Sequence, residues 1–197
     1  MSASSEATPA SGTRAALIRA GVELLDESGP DAVGLRAISR RADVSHGAPR
    51  RHFPTHRALL AAVARTGVED LRGVVQPILR SSADPRDRLV DAALAYVTFA
   101  RRRRAMFDLM TRHDLLEGSG ERLRETSIPF LRAVAAVVDE ASGEPADPLR
   151  VAGLWAAVHG IAALTADHAL DIWPNPVEPA STTRELVCHA VDAALRP

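Results

Sequence analysis

Residues 17–63 read LIRAGVELLDESGPDAVGLRAISRRADVSHGAPRRHFPTHRALLAAV, and this stretch decides the fold. Leu17, Gly21 and Leu24 recur at the three- and four-residue intervals of one helix face, and the Ser-Gly-Pro sequence at 28–30 ends that helix. The pattern therefore begins with a helix that buries one apolar stripe.

Two shorter helices follow. Apolar spacing predicts a helix over 35–42, a turn at 43–45, and a third helix over 46–52 that the Ser45 hydroxyl would cap. Two short helices joined by a tight turn form a helix-turn-helix, whose second helix reaches base edges in the DNA major groove. Arg50, Arg51 and His52 supply hydrogen-bond donors there.

The segment resembles the DNA-binding domain of the tetracycline-repressor-like (TetR) family of bacterial transcription regulators. The features that carry the resemblance are the first helix ending at Gly29, Leu35-Arg36-Ala37-Ile38, Ala42-Asp43-Val44-Ser45, and Gly47, His52 and Phe53 before Pro54. Three positions depart from the family pattern: Pro49-Arg50 stands where a Leu-Tyr pair is usual, Asp43 where Gly is usual, and His56 where Lys is usual.

The resemblance implies a set of DNA-contacting residues, with phosphate contacts at Arg36, Ser45 and His56. The full set is Arg36, Ser45, His46, Ala48, Pro49, Arg50, Arg51, His52 and His56. Because a neutral imidazole cannot replace a lysine charge, any contribution from His56 should strengthen below about pH 6.5.

Composition fits two modest domains in a chain of 197 residues, of which 46% are apolar. We expect a disordered tail over 1–12, the helix-turn-helix domain over 13–57, and a helical ligand-binding and dimerisation domain over 58–197. Net charge is only −1, which argues against a generic nucleic-acid binder. Residues 1–67 nevertheless carry nine Arg against six acidic residues, so the predicted reader is mildly basic.

Other features favour a soluble cytoplasmic protein. Cys188 is the only cysteine, which fits a reducing compartment. No signal peptide is expected in the polar first twelve residues, and no run approaches the roughly twenty apolar residues of a membrane helix.

Beyond the reader the pattern stays helical, which predicts an all-α protein of about nine helices. A long helix should run from His56 to about Leu79, and further helices are expected at about 85–101, 104–114, 121–141, 148–172 and 182–195. Asp84-Pro85 and Asp147-Pro148 mark helix starts, Thr182 with Glu185 resembles a capping box, and Pro129 should kink its helix.

The sequence Trp155-Ala156-Ala157-Val158-His159-Gly160 resembles the signature of the C-terminal "WHG" domain found in a subgroup of these regulators. Trp155 and His159 share one helix face, where they either pack in the core or line a pocket for a small-molecule effector. The expected effector-binding residues are Phe99, Phe107, Met110, Trp155 and His159.

Enzymatic chemistry is not expected, and no cofactor or metal is predicted. His52 and His56 have metal-pair spacing, but Pro54 breaks the helix between them. Asp167, His168 and Asp171 are typical of a solvated helix face. The run of arginines at 101–104 is interpreted as a solvated linker or as partners for acids such as Asp108.

The prediction is therefore a transcription regulator, most simply a repressor, that binds a palindromic double-stranded DNA operator as a homodimer and is released by an unidentified small-molecule effector. The dimer is expected to form through the last two helices, including the apolar residues Leu186 and Val191. The alternative from another class is a ligand-independent helical module that binds a partner protein.

Overall fold

The computed structural model describes residues 9–112, 123–145, 147–172 and 179–196. Within these residues the chain forms nine α-helices and two short 3-10 helices, with no strand, as the sequence predicts. The helices are α1 (Pro9–Ser28), α2 (Leu35–Arg41), α3 (Ala48–His52), α4 (His56–Leu79), α5 (Pro85–Arg102), α6 (Arg104–Thr111), α7 (Leu123–Ser142), α8 (Pro148–Ala166) and α9 (Pro179–Leu195), with 3-10 turns at Pro30–Ala32 and Ala169–Ile172.

The chain divides into two compact units. The first contains the chain up to Gly67 together with the segment that begins at Ala105, and the second contains Val68–Arg104 and the chain from Arg124 onwards. Helix α4 starts in the first unit and ends in the second, so one continuous helix belongs to both.

The first unit is built on fully buried aliphatic side chains from α1, α2 and α4. Leu17, Leu25, Ile38 and Leu59 have no exposed surface. Gly21 makes room for Val63 of α4, because a Cβ atom built on it would lie 2.7 Å from Cγ2 of Val63. Only a residue without a side chain allows α1 to approach α4 this closely.

Two helix starts in this unit differ from the sequence expectation. Helix α1 begins at Pro9, so the expectation of a disordered tail is wrong for residues 9–12, and residues 1–8 lie outside the described range. Helix α3 begins at Ala48 behind Gly47, with no side-chain cap. Ser45 contributes its carbonyl oxygen, which accepts from the Ala48 N–H at 2.9 Å, so the predicted hydroxyl cap is wrong.

The second unit packs α5, α8 and α9 around a common core. Val97, Leu154, Ala162 and Val187 are buried there. The predicted caps at Asp84 and Asp147 are confirmed, since their carboxylates accept from the backbone N–H groups of Arg86 and Leu149, each at 2.9 Å.

The Arg86 guanidinium links α5 to α9. It binds both carboxylate oxygens of Asp192, at 2.6 and 3.0 Å. This hydrogen bonding lowers the pKa of Asp192 below its ordinary value.

Three helix ends in the chain also differ from expectation. Helix α8 ends at Ala166, because His168 takes a φ of 55° and turns the chain into the 3-10 segment. Helix α9 begins at Pro179, which places Thr182 inside the helix and excludes the predicted capping box. Helix α6 ends at Thr111.

Two other sequence expectations concern prolines and hydropathy. Pro129 lies inside α7, which continues past it, and the kink expected there stays a prediction. Pro77 likewise lies inside α4, and that helix also continues past it. In the part of the chain that the structure describes, α8 alone is long and apolar enough to cross a membrane, a weak indication because core helices meet the same criterion.

The Gly21 contact generates a first prediction. Gly21→Ala should destabilise the protein by about 1–3 kcal/mol, because the β-branched Val63 cannot move aside freely. Gly73→Ala is the matched control, since Gly73 is exposed on α4 and no side chain or neighbouring element lies within 4 Å of an added Cβ. That change should stabilise the protein by up to about 1 kcal/mol through helix propensity.

Denaturant unfolding of the full chain measures both effects. Equal stabilisation by the two substitutions would show that Gly21 is not required for the approach of α1 to α4.

Candidate DNA-binding face and ligand cavity

Helix α3 has a buried side and an exposed side. Ala48 and Pro49 are buried, whereas the side chains of Arg50 and Arg51 are exposed and His52 is half-buried. The helix therefore presents two permanently charged, multiply donating groups to solvent. We leave Ala48 and Pro49 out of the DNA-contacting set, because their side chains pack in the core.

An ion-pair cluster holds α2 against α1. Arg41 donates to both carboxylate oxygens of Glu27, at 3.0 and 2.7 Å, and to Glu23 at 3.3 Å. Hydrogen bonding to Arg41 lowers the pKa of Glu27. Arg41 is thus committed to a structural contact, while Arg36 on the same helix is exposed.

The turn between α2 and α3 exposes the polar residues expected to contact phosphate. Ser45 and His46 are exposed. Asp43 takes a φ of 51°, in the left-handed region that glycine adopts without steric cost. This backbone conformation explains why glycine suits the position and why a short polar side chain can replace it.

His56 has an internal partner. Its Nε2 lies 2.5 Å from the carbonyl oxygen of Val33. A carbonyl oxygen only accepts, so Nε2 carries a proton and donates. A phosphate contact would then fall to Nδ1, which can donate only when the imidazole is charged.

The second unit contains an apolar cavity of about 60 Å³. Its walls come from α4, α5, α7 and α8, and almost every lining side chain is a hydrocarbon or an aromatic ring. The lining residues are Val75, Leu79, Leu89, Ala92, Ala93, Tyr96, Phe130, Leu131, Val134, Val151, Leu154, Trp155 and Val158. Such a surface suits an uncharged, apolar molecule.

Trp155 and His159 meet at one side of this cavity. Trp155 lines it and is 44% exposed. Its ring stacks on His159, with centroids 5.3 Å apart and planes 17° apart. The Tyr96 hydroxyl lies 2.9 Å from His159 Nδ1, and burial raises the pKa of Tyr96, so this hydroxyl stays protonated and can donate.

The other residues expected to bind an effector lie elsewhere. The guanidinium carbon of Arg103 lies over the ring of Phe99, 5.6 Å from the ring centroid. Phe107 is buried in the first unit, where Met110 and Met106 pack over Gly67. The cavity-lining residues described by the structure include none of these three expected residues.

Sequence reasoning missed Tyr96 and Phe130 as cavity residues. Tyr96 is the chain's only tyrosine, and that rarity was the one available signal. Neither residue belongs to a recognisable motif.

Asp167, His168 and Asp171, which the sequence predicts on a solvated face, take part in two separate contacts. Asp167 pairs with Arg104, while His168 Nδ1 lies 3.0 Å from Asp171 Oδ2 at the exposed surface. Among the residues that the structure describes, no group of three or more His, Cys, Asp or Glu residues could hold a metal ion.

An apolar face of α8 and α9 is exposed. Leu164 and Leu186 are 46% and 38% exposed, beside the small residues Ala156, Ala157 and Gly160. A groove between the two helices runs along this face. Val191, the other α9 residue expected at the dimer contact, has no exposed surface and packs in the core of the subunit.

Comparisons with known proteins agree with this architecture. Residues 17–63 match the family model "Bacterial regulatory proteins, tetR family", and residues 89–189 match "Tetracyclin repressor-like, C-terminal domain". A nucleoid occlusion factor, SlmA, from Marinobacter nauticus is 27% identical over 131 residues, which are 66% of this chain and 67% of that protein.

Two solved structures from Rhodococcus sp. RHA1 are similar over nearly the whole chain. A protein of unknown function is 29% identical, with a TM-score of 0.73, over 93% of this chain and 94% of that one. A transcriptional regulator is 25% identical, with a TM-score of 0.66, over 92% and 93% respectively.

The exposed arginines of α3 generate a second prediction. Arg50→Gln or Arg51→Gln should cost about 1–3 kcal/mol on a specific site if the side chain contacts a base bidentately, and less on random DNA. The measurement is a binding titration against a duplex selected from random sequences and against a scrambled duplex.

Arg72→Gln is the control, because Arg72 is exposed on α4 outside the reader. Equal losses of affinity on both duplexes would indicate that the arginine contacts phosphate and not a base. Unchanged affinity for both duplexes would show that the arginine does not contact DNA.

Proposed function

The chain belongs to the TetR family of bacterial regulatory proteins, and on that premise we propose that it is a cytoplasmic repressor released from a palindromic operator by a small apolar effector. Its helix-turn-helix makes it a DNA-binding transcription regulator. The effector proposal rests on one observation, which is that α4 belongs to both units. Its first residues belong to the DNA-reading unit, and its last turns, at Val75 and Leu79, line the apolar cavity.

We expect a homodimer because α3, the helix proposed to contact bases, is short. Helix α3 has only five residues and exposes two arginines, so one copy can contact few bases. Two-fold repetition doubles the contacts and matches a palindromic site.

We place the dimer contact on the exposed apolar face of α8 and α9. The small side chains of Ala156, Ala157 and Gly160 would let two helices approach closely, and Leu164 and Leu186 would lose their exposed apolar surface. A dimer interface on this face would then explain the high apolar content of α8 without a membrane.

The effector mechanism follows from the size of the cavity. At about 60 Å³ the cavity is smaller than the engineered cavity of about 150 Å³ that binds benzene, so an effector must move its walls apart. Leu131 and Trp155, which are partly exposed, form its outermost wall. A ligand that prefers the widened state shifts the protein towards that state by its differential affinity.

Family membership weighs against the alternative of a protein-interaction module without specific DNA binding. A gel shift of the selected duplex distinguishes the two functions. The repressor should bind it more tightly than a scrambled duplex and should lose affinity steeply as salt rises.

A third prediction tests the dimer surface. Leu164→Asp or Leu186→Asp should convert the dimer into a folded monomer, because a charge would be buried at the interface. Val74→Asp is the control, since Val74 is 54% exposed on α4. Analytical ultracentrifugation with circular dichroism measures mass and folding, and a folded monomer in the unmodified chain at micromolar concentration would contradict the proposal.

A fourth prediction tests the cavity with toluene as the probe. The chain has two tryptophans, so Trp173→Phe leaves Trp155 as the source of tryptophan fluorescence. In that background, toluene should change the fluorescence and raise the melting temperature. Val134→Phe, which places a ring in the cavity, should remove both responses while operator affinity stays within twofold. Undiminished responses in this variant would place the site elsewhere.

A further inference from the structure

A polar cleft in the second unit has no part in the proposed repressor mechanism. It measures about 360 Å³ and lies between the C-terminal half of α5, the end of α8 and the start of α9. Its polar lining consists of Thr98, Arg101, Thr165, His168, Asp171 and Thr183, beside three aliphatic side chains. The cleft thus offers charge and hydroxyl groups, in contrast to the apolar cavity.

Arg101 supplies a positive charge to this cleft. The neighbouring arginines have acidic partners, since Arg103 binds Asp70 at 2.7 Å and Arg104 binds Asp167. No described residue gives Arg101 a hydrogen bond or an ion pair. Its planar guanidinium is free to hold a carboxylate through two parallel hydrogen bonds.

The negative groups around the cleft are already engaged. The Asp171 carboxylate accepts a hydrogen bond from the His168 ring. The backbone of His168 is left-handed, with a φ of 55°, and turns the chain so that the two side chains meet. The last carbonyl of α8, at Ala166, accepts from Arg104 at 3.0 Å. Among the described residues, Asp171 therefore pairs with His168, and no ion pair joins it to Arg101.

The Thr165 hydroxyl adds a second unsatisfied group. Two other helical threonines donate to the carbonyl four residues earlier, Thr66 to Ala62 at 3.4 Å and Thr111 to Phe107 at 3.1 Å. The Thr165 hydroxyl is buried at the cleft, and no described residue is its hydrogen-bond partner. Buried polar groups in native structures normally have a partner, and a ligand oxygen would supply one.

We propose that this cleft is a second ligand site, separate from the apolar cavity, that binds a small organic carboxylate. The carboxylate pairs with Arg101, a ligand oxygen hydrogen-bonds to the Thr165 hydroxyl, and the hydrocarbon part lies against the aliphatic wall formed by Leu94, Val97 and Leu170. The site does not depend on operator binding or on the proposed apolar effector.

Titration calorimetry of the full chain with benzoate and hexanoate tests the site, with benzamide and hexanamide as uncharged counterparts. At least one carboxylate should bind at millimolar concentration or below, and the matching amide should bind at least tenfold more weakly. Absence of binding by both carboxylates, or equal binding of acid and amide, would overturn the proposal.

Variants then locate the binding. Arg101→Gln should weaken carboxylate binding at least tenfold and Arg101→Lys by less, whereas Arg102→Gln, at an exposed arginine outside the cleft lining, should leave it unchanged. Equal losses in the two glutamine variants would reveal only general charge attraction. A loss in Val134→Phe instead would assign the carboxylate to the apolar cavity and overturn the proposal.

Discussion

The proposed function depends on the continuity of α4. The helix runs from His56 to Leu79, continuing past Pro77, and it buries two separate groups of side chains along its length. Leu59 and Val63 are fully buried in the first unit, while Val75 and Leu79 are buried in the second and line the cavity. In the proposed mechanism, this shared helix carries the effect of a ligand in the cavity to the reading unit.

Helix α8 contributes two apolar faces to the second unit. Leu154 and Val158 line the cavity, whereas Ala157 and Leu164 lie on the exposed apolar face. Trp155 lies between these faces, half exposed and stacked on His159. A ligand that displaces the Trp155 ring would therefore alter the surface on which we place the dimer contact, so effector binding and subunit association are expected to be thermodynamically linked.

The sequence predicted the order and type of the helices because apolar periodicity and Asp-Pro starts are local signals. It failed at helix ends that have no local signal. The apolar pattern continues past Ala166 to Leu170, and only the left-handed backbone of His168, a residue that is neither Gly nor Pro, ends α8. The Trp155 and His159 pair was identified from its motif, but Tyr96 and Phe130 reach the same cavity through tertiary packing that no short pattern records.

The departures from the family pattern change the chemistry of the reader while keeping its backbone. Asp43 holds the left-handed turn between α2 and α3 that glycine would usually hold. Pro49 fills the buried side of α3, and Arg50 is exposed where an uncharged tyrosine is usual. Each additional phosphate contact made by a cation steepens the dependence of log K on log salt by about 0.9 for duplex DNA. An Arg50 that contacts phosphate should therefore make operator binding more salt-sensitive than in relatives with tyrosine, whereas an Arg50 that contacts a base would add sequence discrimination.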